Sequence, residues 1–248
     1  MRKNLSCLML FAALLLPIQA AAAEEMTISG AASLTNAFTE LKTQFEKAHP
    51  GLTANVNFAA SNPLLKQLQE GAPVDVFASA DQATMDKAVE SKVVDPKTRR
   101  NFALNDLVMI VPAGSPKPAD LADINKFSRI AVGNPDSVPA GRYAREALTS
   151  AKLWDGLQSK LIQGNSVRQV LDYVARGEVD AGFVYATDAR QLADKVLVVM
   201  TMSGHTPVLY PIAVATTGKN PKMGQAFVNY AISAEGQAIL AKYGFSKP

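Results

Sequence analysis

Cysteine and histidine are almost missing from this chain of 248 residues, with Cys7 the one thiol and His49 and His205 the two imidazoles. Neither histidine has a second metal ligand at a useful spacing, so both are expected to be structural or surface residues. A Walker sequence, a G-x-S-x-G elbow and an H-E-x-x-H helix are all absent, which removes most sequence routes to metal-assisted or nucleophilic catalysis. Charge of one sign is also scarce: 25 Lys and Arg stand against 22 Asp and Glu. Part of that excess is Arg2 and Lys3, which open an N-terminal segment continuing as an apolar run from Leu8 to Ile18, interrupted only by Pro17, and ending in Ala21-Ala22-Ala23. The run is too short to span a bilayer and closes on an A-x-A pattern, so residues 1–23 read as a signal peptide cleaved after Ala23. Cys7 precedes the apolar run instead of closing it, which is the wrong order for a lipid-anchored cysteine.

Without that leader the chain has 23 basic and 22 acidic residues and no cysteine. Near-neutrality argues against a large electrostatic footprint for nucleic acid or anionic lipid, and a cysteine-free chain enters an oxidising compartment with no disulfide framework. No later segment is long and apolar enough to anchor in a membrane. The remaining residues suffice for one large domain or two small lobes with adequate cores.

Short β-like runs alternate with helical patterns. Strands are expected at Met26–Ile28, Thr53–Phe58 and Val74–Ala78, with helices from Leu34 to about Ala48, from about Pro63 to Glu70, and from Gln82. A second α/β unit has strands at Ile130–Val132 and Ala181–Tyr185 and helices at Gly141–Ser150, from about Val167 to Arg176, and from Thr187. Such alternation implies parallel sheets covered by helices, with ligands at the carboxyl ends of the strands. The apolar runs Leu107–Val111 and Val208–Val214 flank the second unit and read as paired hinge strands, and a helix from Met223 to Tyr243 would rejoin the first unit.

The strand ends carry serines. In Gly30-Ala-Ala-Ser-Leu-Thr-Asn-Ala-Phe38, Ser33 falls between a strand and an amphipathic helix whose apolar face is Leu34, Phe38, Leu41 and Phe45. Asn57-Phe-Ala-Ala-Ser61-Asn-Pro63 repeats the arrangement, with Pro63 in the first helical turn where its missing N–H costs nothing. Both serines are expected as helix N-caps. The first N–H groups of a helix lack internal partners and carry the positive end of its dipole, so two such corners on neighbouring strands suit an oxyanion.

Three further segments join these corners: Gly133-Asn-Pro-Asp-Ser-Val-Pro-Ala-Gly-Arg-Tyr-Ala144, Asn165-Ser-Val-Arg168 and Gly182-Phe-Val-Tyr-Ala-Thr-Asp188. Together they resemble the periplasmic molybdate-binding proteins of molybdate ABC importers, a family of type II two-lobe solute-binding proteins, over essentially the whole chain beyond residue 23. The resemblance implies two lobes, each a mainly parallel sheet flanked by helices, at 24–107 with 212–248 and at 108–211, joined by two hinge strands. It implies oxyanion contacts at Ser33, Ser61, Ala140, Val167 and Tyr185, with molybdenum held as the oxyanion and no direct cation ligand, no catalytic residue and no cofactor. It also implies a monomer in the periplasm that captures molybdate or tungstate and delivers it to an inner-membrane permease.

The residue chemistry is compatible with those contacts. Ser33 and Ser61 can offer hydroxyl and backbone N–H, Ala140 and Val167 backbone N–H alone, and Tyr185 a phenolic O–H. Arg142 and Arg168 each stand beside a contact position and are expected on solvated helix faces. Asp75 and Asp81 are expected as cap or turn carboxylates, because a bare carboxylate in the site would repel an anion. Capture of another ligand, such as sulfate, thiosulfate or a small organic acid, stays open, as does a dehydratase-like enzyme on the same fold, for which Tyr185 is the one proton-transfer candidate among the five positions.

Overall fold

The computed structural model describes residues 24–248, and the expected signal peptide therefore lies outside the described residues. The chain first builds β1 (Glu24–Ala31), a 3-10 turn at Ala32–Leu34, α1 (Thr35–Ala48), β2 (Leu52–Ala59), α2 (Ser61–Gln69), β3 (Val76–Ala78), α3 (Gln82–Glu90) and β4 (Arg100–Asn105). It then crosses to β5 (Leu107–Pro112), β6 (Ile130–Gly133), α4 (Pro139–Ser150), α5 (Trp154–Leu157), β7 (Leu161–Gly164), α6 (Val167–Ala175), β8 (Ala181–Tyr185), α7 (Ala186–Ala189) and β9 (Val196–Thr201). It returns through β10 (Val208–Val214), α8 (Pro221–Ile232) and α9 (Ala234–Lys242).

Two five-stranded sheets result, in the orders β2-β1-β3-β10-β4 and β7-β6-β8-β5-β9. In each, three strands pair in parallel, and the fourth pairs antiparallel both to the third and to the outer fifth, so four of the five strands share a direction. Helices flank each sheet, and each sheet with its helices forms a lobe. The antiparallel slot of each sheet is filled by the strand that has just arrived from the other lobe.

The runs expected to pair as hinge strands therefore do not pair with each other: β5 lies between β8 and β9, and β10 between β3 and β4. Leu107 lies in the second sheet and Val208–Pro211 in the first, a few residues from the expected joints. Three strands go beyond the expected set, β4, β7 and β9, and all are sheet edges. Their half-exposed, irregular burial patterns explain their weak sequence signal.

The expected single helix from Met223 to Tyr243 is broken at Ser233, which has extended ψ and caps α9 by accepting a hydrogen bond from Gly236 N–H at 3.2 Å. The helix expected from Thr187 is one α-turn continued as a 3-10 turn. His49 and His205 play structural and surface roles: His49 Nδ1 lies 2.8 Å from the Phe45 carbonyl oxygen, and the His205 ring packs 5.7 Å from that of Tyr143.

Aromatic rings connect the lobes at the floor of the cleft. Phe102 packs edge-on to Tyr210 at 6.2 Å, Tyr210 to Tyr185 at 5.7 Å, and Tyr185 to Tyr143 at 6.4 Å. The first two belong to β4 and β10, the last two to β8 and α4, so the ring stack crosses from one lobe to the other.

Candidate oxyanion site

Four helix starts converge where the lobes face each other. In the first lobe, the 3-10 turn leading into α1 follows β1 directly, and α2 follows β2 after Ala60 alone; β1 and β2 are adjacent and parallel, so both turns emerge at the same sheet end. In the second lobe, α4 and α6 follow the adjacent parallel strands β6 and β7. Pro139 opens α4 and fixes its first turn, leaving Ala140 to present the first N–H of that helix. A Cβ on Gly141 would stand 2.0 Å from the Gly133 carbonyl oxygen, so only glycine lets α4 start this close to the end of β6. Ser166 caps α6 with its hydroxyl, accepting from Gln169 N–H at 3.2 Å, which leaves the Val167 N–H as the free donor of the first helical residue.

Ser33, Ser61, Ala140, Val167 and Tyr185 all line one cavity, together with Ala31, Ala32, Ala60, Ala80, Val138 and Pro139. The cavity is small, with room for little more than a small ion. No lining residue is acidic. The Tyr185 hydroxyl is buried here and has no hydrogen-bond partner in the protein. Burial pushes its pKa well above the ordinary phenol value, so it is a proton donor at neutral pH. Buried polar groups normally find partners, which makes this orphan hydroxyl a group waiting for an acceptor.

Neither serine caps a helix with its side chain, contrary to the sequence reading. Ser33 lies inside the 3-10 turn, the N-cap of α1 being Leu34, and Ser61 is the first residue of α2 after the N-cap Ala60. Freed from capping, both hydroxyls enter a donor network. Ser61 Oγ accepts from Ala80 N–H at 3.0 Å, which leaves its own proton for the cavity. Ser33 Oγ lies 3.0 Å from Tyr210 Oη, and Tyr210 in turn accepts from Asn105 Nδ2 at 3.3 Å. With Asn105 donating, Tyr210 can pass its proton toward Ser33, whose own proton then points to a third acceptor. Sequence reasoning missed Tyr210 and Asn105. The signal was Pro211: proline within a central strand marks a bulge, and the β10 register does shift between Tyr210 and Pro211.

The two arginines are also placed differently from expectation. Arg142 crosses the cleft: its Nε donates to Asp81 Oδ2 at 2.9 Å, and its Nη2 contacts the same oxygen and donates to Thr84 Oγ1 at 2.8 Å. Arg168 Nε lies 2.6 Å from Asp188 Oδ1, out of hydrogen-bonding alignment, and its Nη2 approaches the Ser33 carbonyl across the cleft at 3.4 Å. Helix periodicity gives the face on which each arginine stands but not the opposing lobe that covers it. Burial pushes the Asp188 carboxyl up to about 6, against the pull of Arg168. Asp81 caps α3, accepting from Thr84 N–H at 3.1 Å, as expected of a cap carboxylate, and it also pairs with Arg142. Asp75 ties β1 to the start of α8, accepting from Thr27 N–H at 2.7 Å and from the N–H of Asn220, the α8 N-cap, at 2.6 Å. Among the described residues no cluster of three or more His, Cys, Asp or Glu is placed to hold a metal ion.

Comparison with known proteins gives the family and the fold. Residues 26–246 match the family model described as bacterial extracellular solute-binding protein. The chain is 38% identical to the molybdate-binding protein ModA of Escherichia coli over 90% of this chain and 89% of that one. It is 37% identical to ModA of Haemophilus influenzae over 91% of each. The solved periplasmic molybdate-binding protein of Azotobacter vinelandii superposes with a TM-score of 0.80 at 24% identity, over 90% of this chain and 99% of that one, which shows the shared fold. With its two lobes, the helix starts that meet between them and a family match spanning nearly all the described residues, the chain belongs to the bacterial extracellular solute-binding protein family.

Proposed function

We propose that the interlobe cavity captures molybdate, and tungstate with it, through neutral donors and helix N-termini, and that the protein delivers the ion to an ABC importer in the inner membrane. The relatives named for molybdate make that oxyanion the ligand of choice, and their being solute-binding proteins favours capture over turnover. The observation that carries the reading is the buried Tyr185 hydroxyl, unpartnered among four helix starts in a cavity lined by no acid.

The proposed contacts are Ser33 and Ser61 from one lobe and Ala140, Val167 and Tyr185 from the other. An anion held this way bridges the lobes, and a ligand that prefers the closed arrangement shifts the population toward it. The two chain crossings, at Asp106 and between β9 and β10, are where the opening motion is expected to pivot. Cleavage after Ala23, release into the periplasm and a monomeric state belong to the same proposal; the described residues contain no helix long and apolar enough to cross a membrane.

Native mass spectrometry of the desalted protein offered molybdate, tungstate, sulfate, thiosulfate and phosphate separately tests the assignment. A single molybdate or tungstate adduct on the monomer is the expected outcome. A stoichiometric adduct with another anion and none with these two would replace the ligand while leaving an oxyanion site.

A further inference from the structure

Beside the cavity, outside the five contact positions, a seam of polar side chains joins the lobes. Arg142 stands on α4 two residues after Ala140, and Asp81 follows Ala80, whose N–H holds Ser61 Oγ. The Arg142 side chain is 17% exposed and that of Asp81 5%, so the pair is largely removed from water. Arg142 also donates to Thr84 Oγ1, Thr84 donates to Asn62 Oδ1 at 2.7 Å, and Asn62 Nδ2 donates to the Asp136 carbonyl at 2.7 Å. The seam thus leaves the second lobe at Arg142, runs through three side chains of the first, and returns to the second at Asp136. The contacts of Arg142 with Asp81 and Thr84 and that of Asn62 with Asp136 form only when the lobes are together, while the Thr84–Asn62 bond stays within the first lobe.

We infer that Arg142 is a positioning residue that latches the closed lobes over the bound anion and sets how long the ligand stays, without touching it. This rests on the functional reading above. A buried ion pair adds little net stability, because desolvation offsets most of its attraction, but removing one member leaves the other buried and unpaired. That penalty falls on the closed state alone, since opening the cleft returns both groups to water. The guanidinium is already neutralised by Asp81, so its loss removes no direct ligand contact. Affinity differences among variants of one site usually appear in the dissociation rate, and a latch that forms after encounter acts there. The Asp81 carboxylate has a second task as the α3 cap, which Asn can also perform, so Asp81→Asn weakens the latch while keeping the helix start.

The test is stopped-flow release of molybdate from purified wild type, Arg142→Met, Asp81→Asn and the double variant, alongside melting of each without ligand. The expected result is at least a tenfold faster release in each single variant, little change in association rate, no further acceleration in the double variant, and an unchanged melting temperature of the ligand-free protein. Release at the wild-type rate from Arg142→Met would overturn the latch, as would a ligand-free melting temperature lowered as much as the liganded one, the mark of an ordinary structural contact. A wild type that takes up no molybdate would overturn the functional reading and the latch with it, an outcome distinct from wild-type uptake with unaltered release in the variants.

Discussion

Ser33 and Tyr210 are 177 positions apart in the chain, yet their hydroxyl oxygens lie 3.0 Å from each other behind the cavity wall. Ser33 alone could be donor or acceptor toward a ligand. Tyr210 behind it, itself supplied by Asn105, can direct its proton to Ser33 and so leave the Ser33 proton for the cavity.

Truncating the members of that chain should separate their roles. Ser33→Ala and Ser61→Ala each delete a hydroxyl at the cavity and are expected to weaken molybdate binding by about 1.5–3 kcal/mol, the range for hydrogen bonds to charged groups. Tyr210→Phe leaves the Ser33 hydroxyl in place but removes its orienting partner, so a smaller loss of about 0.5–1.5 kcal/mol is expected. Isothermal titration calorimetry gives the order; a Tyr210→Phe loss exceeding that of Ser33→Ala would mean that Tyr210, not Ser33, serves the ligand.

Tyr185→Phe tests the orphan hydroxyl. Because that oxygen has no partner within the protein, its removal should leave the ligand-free protein as stable as wild type while weakening the anion by about 1.5–3 kcal/mol. Melting curves with and without molybdate check both halves at once through the ligand-induced shift. A destabilised ligand-free protein with an undiminished shift would show that the hydroxyl serves the fold.

Much of this arrangement is legible in the sequence, and the remainder is hidden for identifiable reasons. Local signals suffice for the strand-to-helix corners: Ser33 and Ser61 follow short alternating runs, and Pro139-Ala140-Gly141 combines a helix-opening proline with a glycine that allows close approach. What a single residue does once the corner has formed is a tertiary matter. The Ser33 hydroxyl bonds Tyr210 instead of capping, and Arg142 meets a carboxylate in the other lobe, because partners distant in sequence outcompete the local choice. The edge strands β7 and β9 were obscure for another reason, since a half-exposed edge such as Leu161–Gly164 lacks the burial that makes the central strands read as apolar runs.

The stability of the second lobe should carry the signature of Asp188. Its carboxyl is pushed up from the ordinary value to about 6 in the folded protein, with burial the largest cause, so the folded state binds this proton more tightly than the unfolded chain does. The contribution is fully present below the ordinary carboxylate range and is lost as pH rises through about 6. The stability of wild type relative to Asp188→Asn is therefore expected to fall between about pH 4 and 6 and to level off above. Chemical denaturation of both proteins across that range measures the difference; a difference that grows with pH would mean that Arg168 dominates and that the carboxyl is charged throughout.

The most direct measurement of the central claim, that molybdate is held between the lobes by hydrogen-bond donors alone, is competition calorimetry at neutral pH with four tetrahedral oxyanions. Molybdate, tungstate and sulfate are dianions with no proton, whereas phosphate keeps at least one that needs an acceptor, and among donors alone that proton stays unpaired at a cost of about 1–3 kcal/mol or more. Sulfate carries the same charge on shorter bonds and is expected to span the donors of the two lobes less well. Molybdate and tungstate are expected to bind alike, both well above sulfate, with phosphate undetectable. Sulfate binding as tightly as molybdate would contradict the size argument and the molybdate assignment, and phosphate binding comparably would contradict the donor-only site itself.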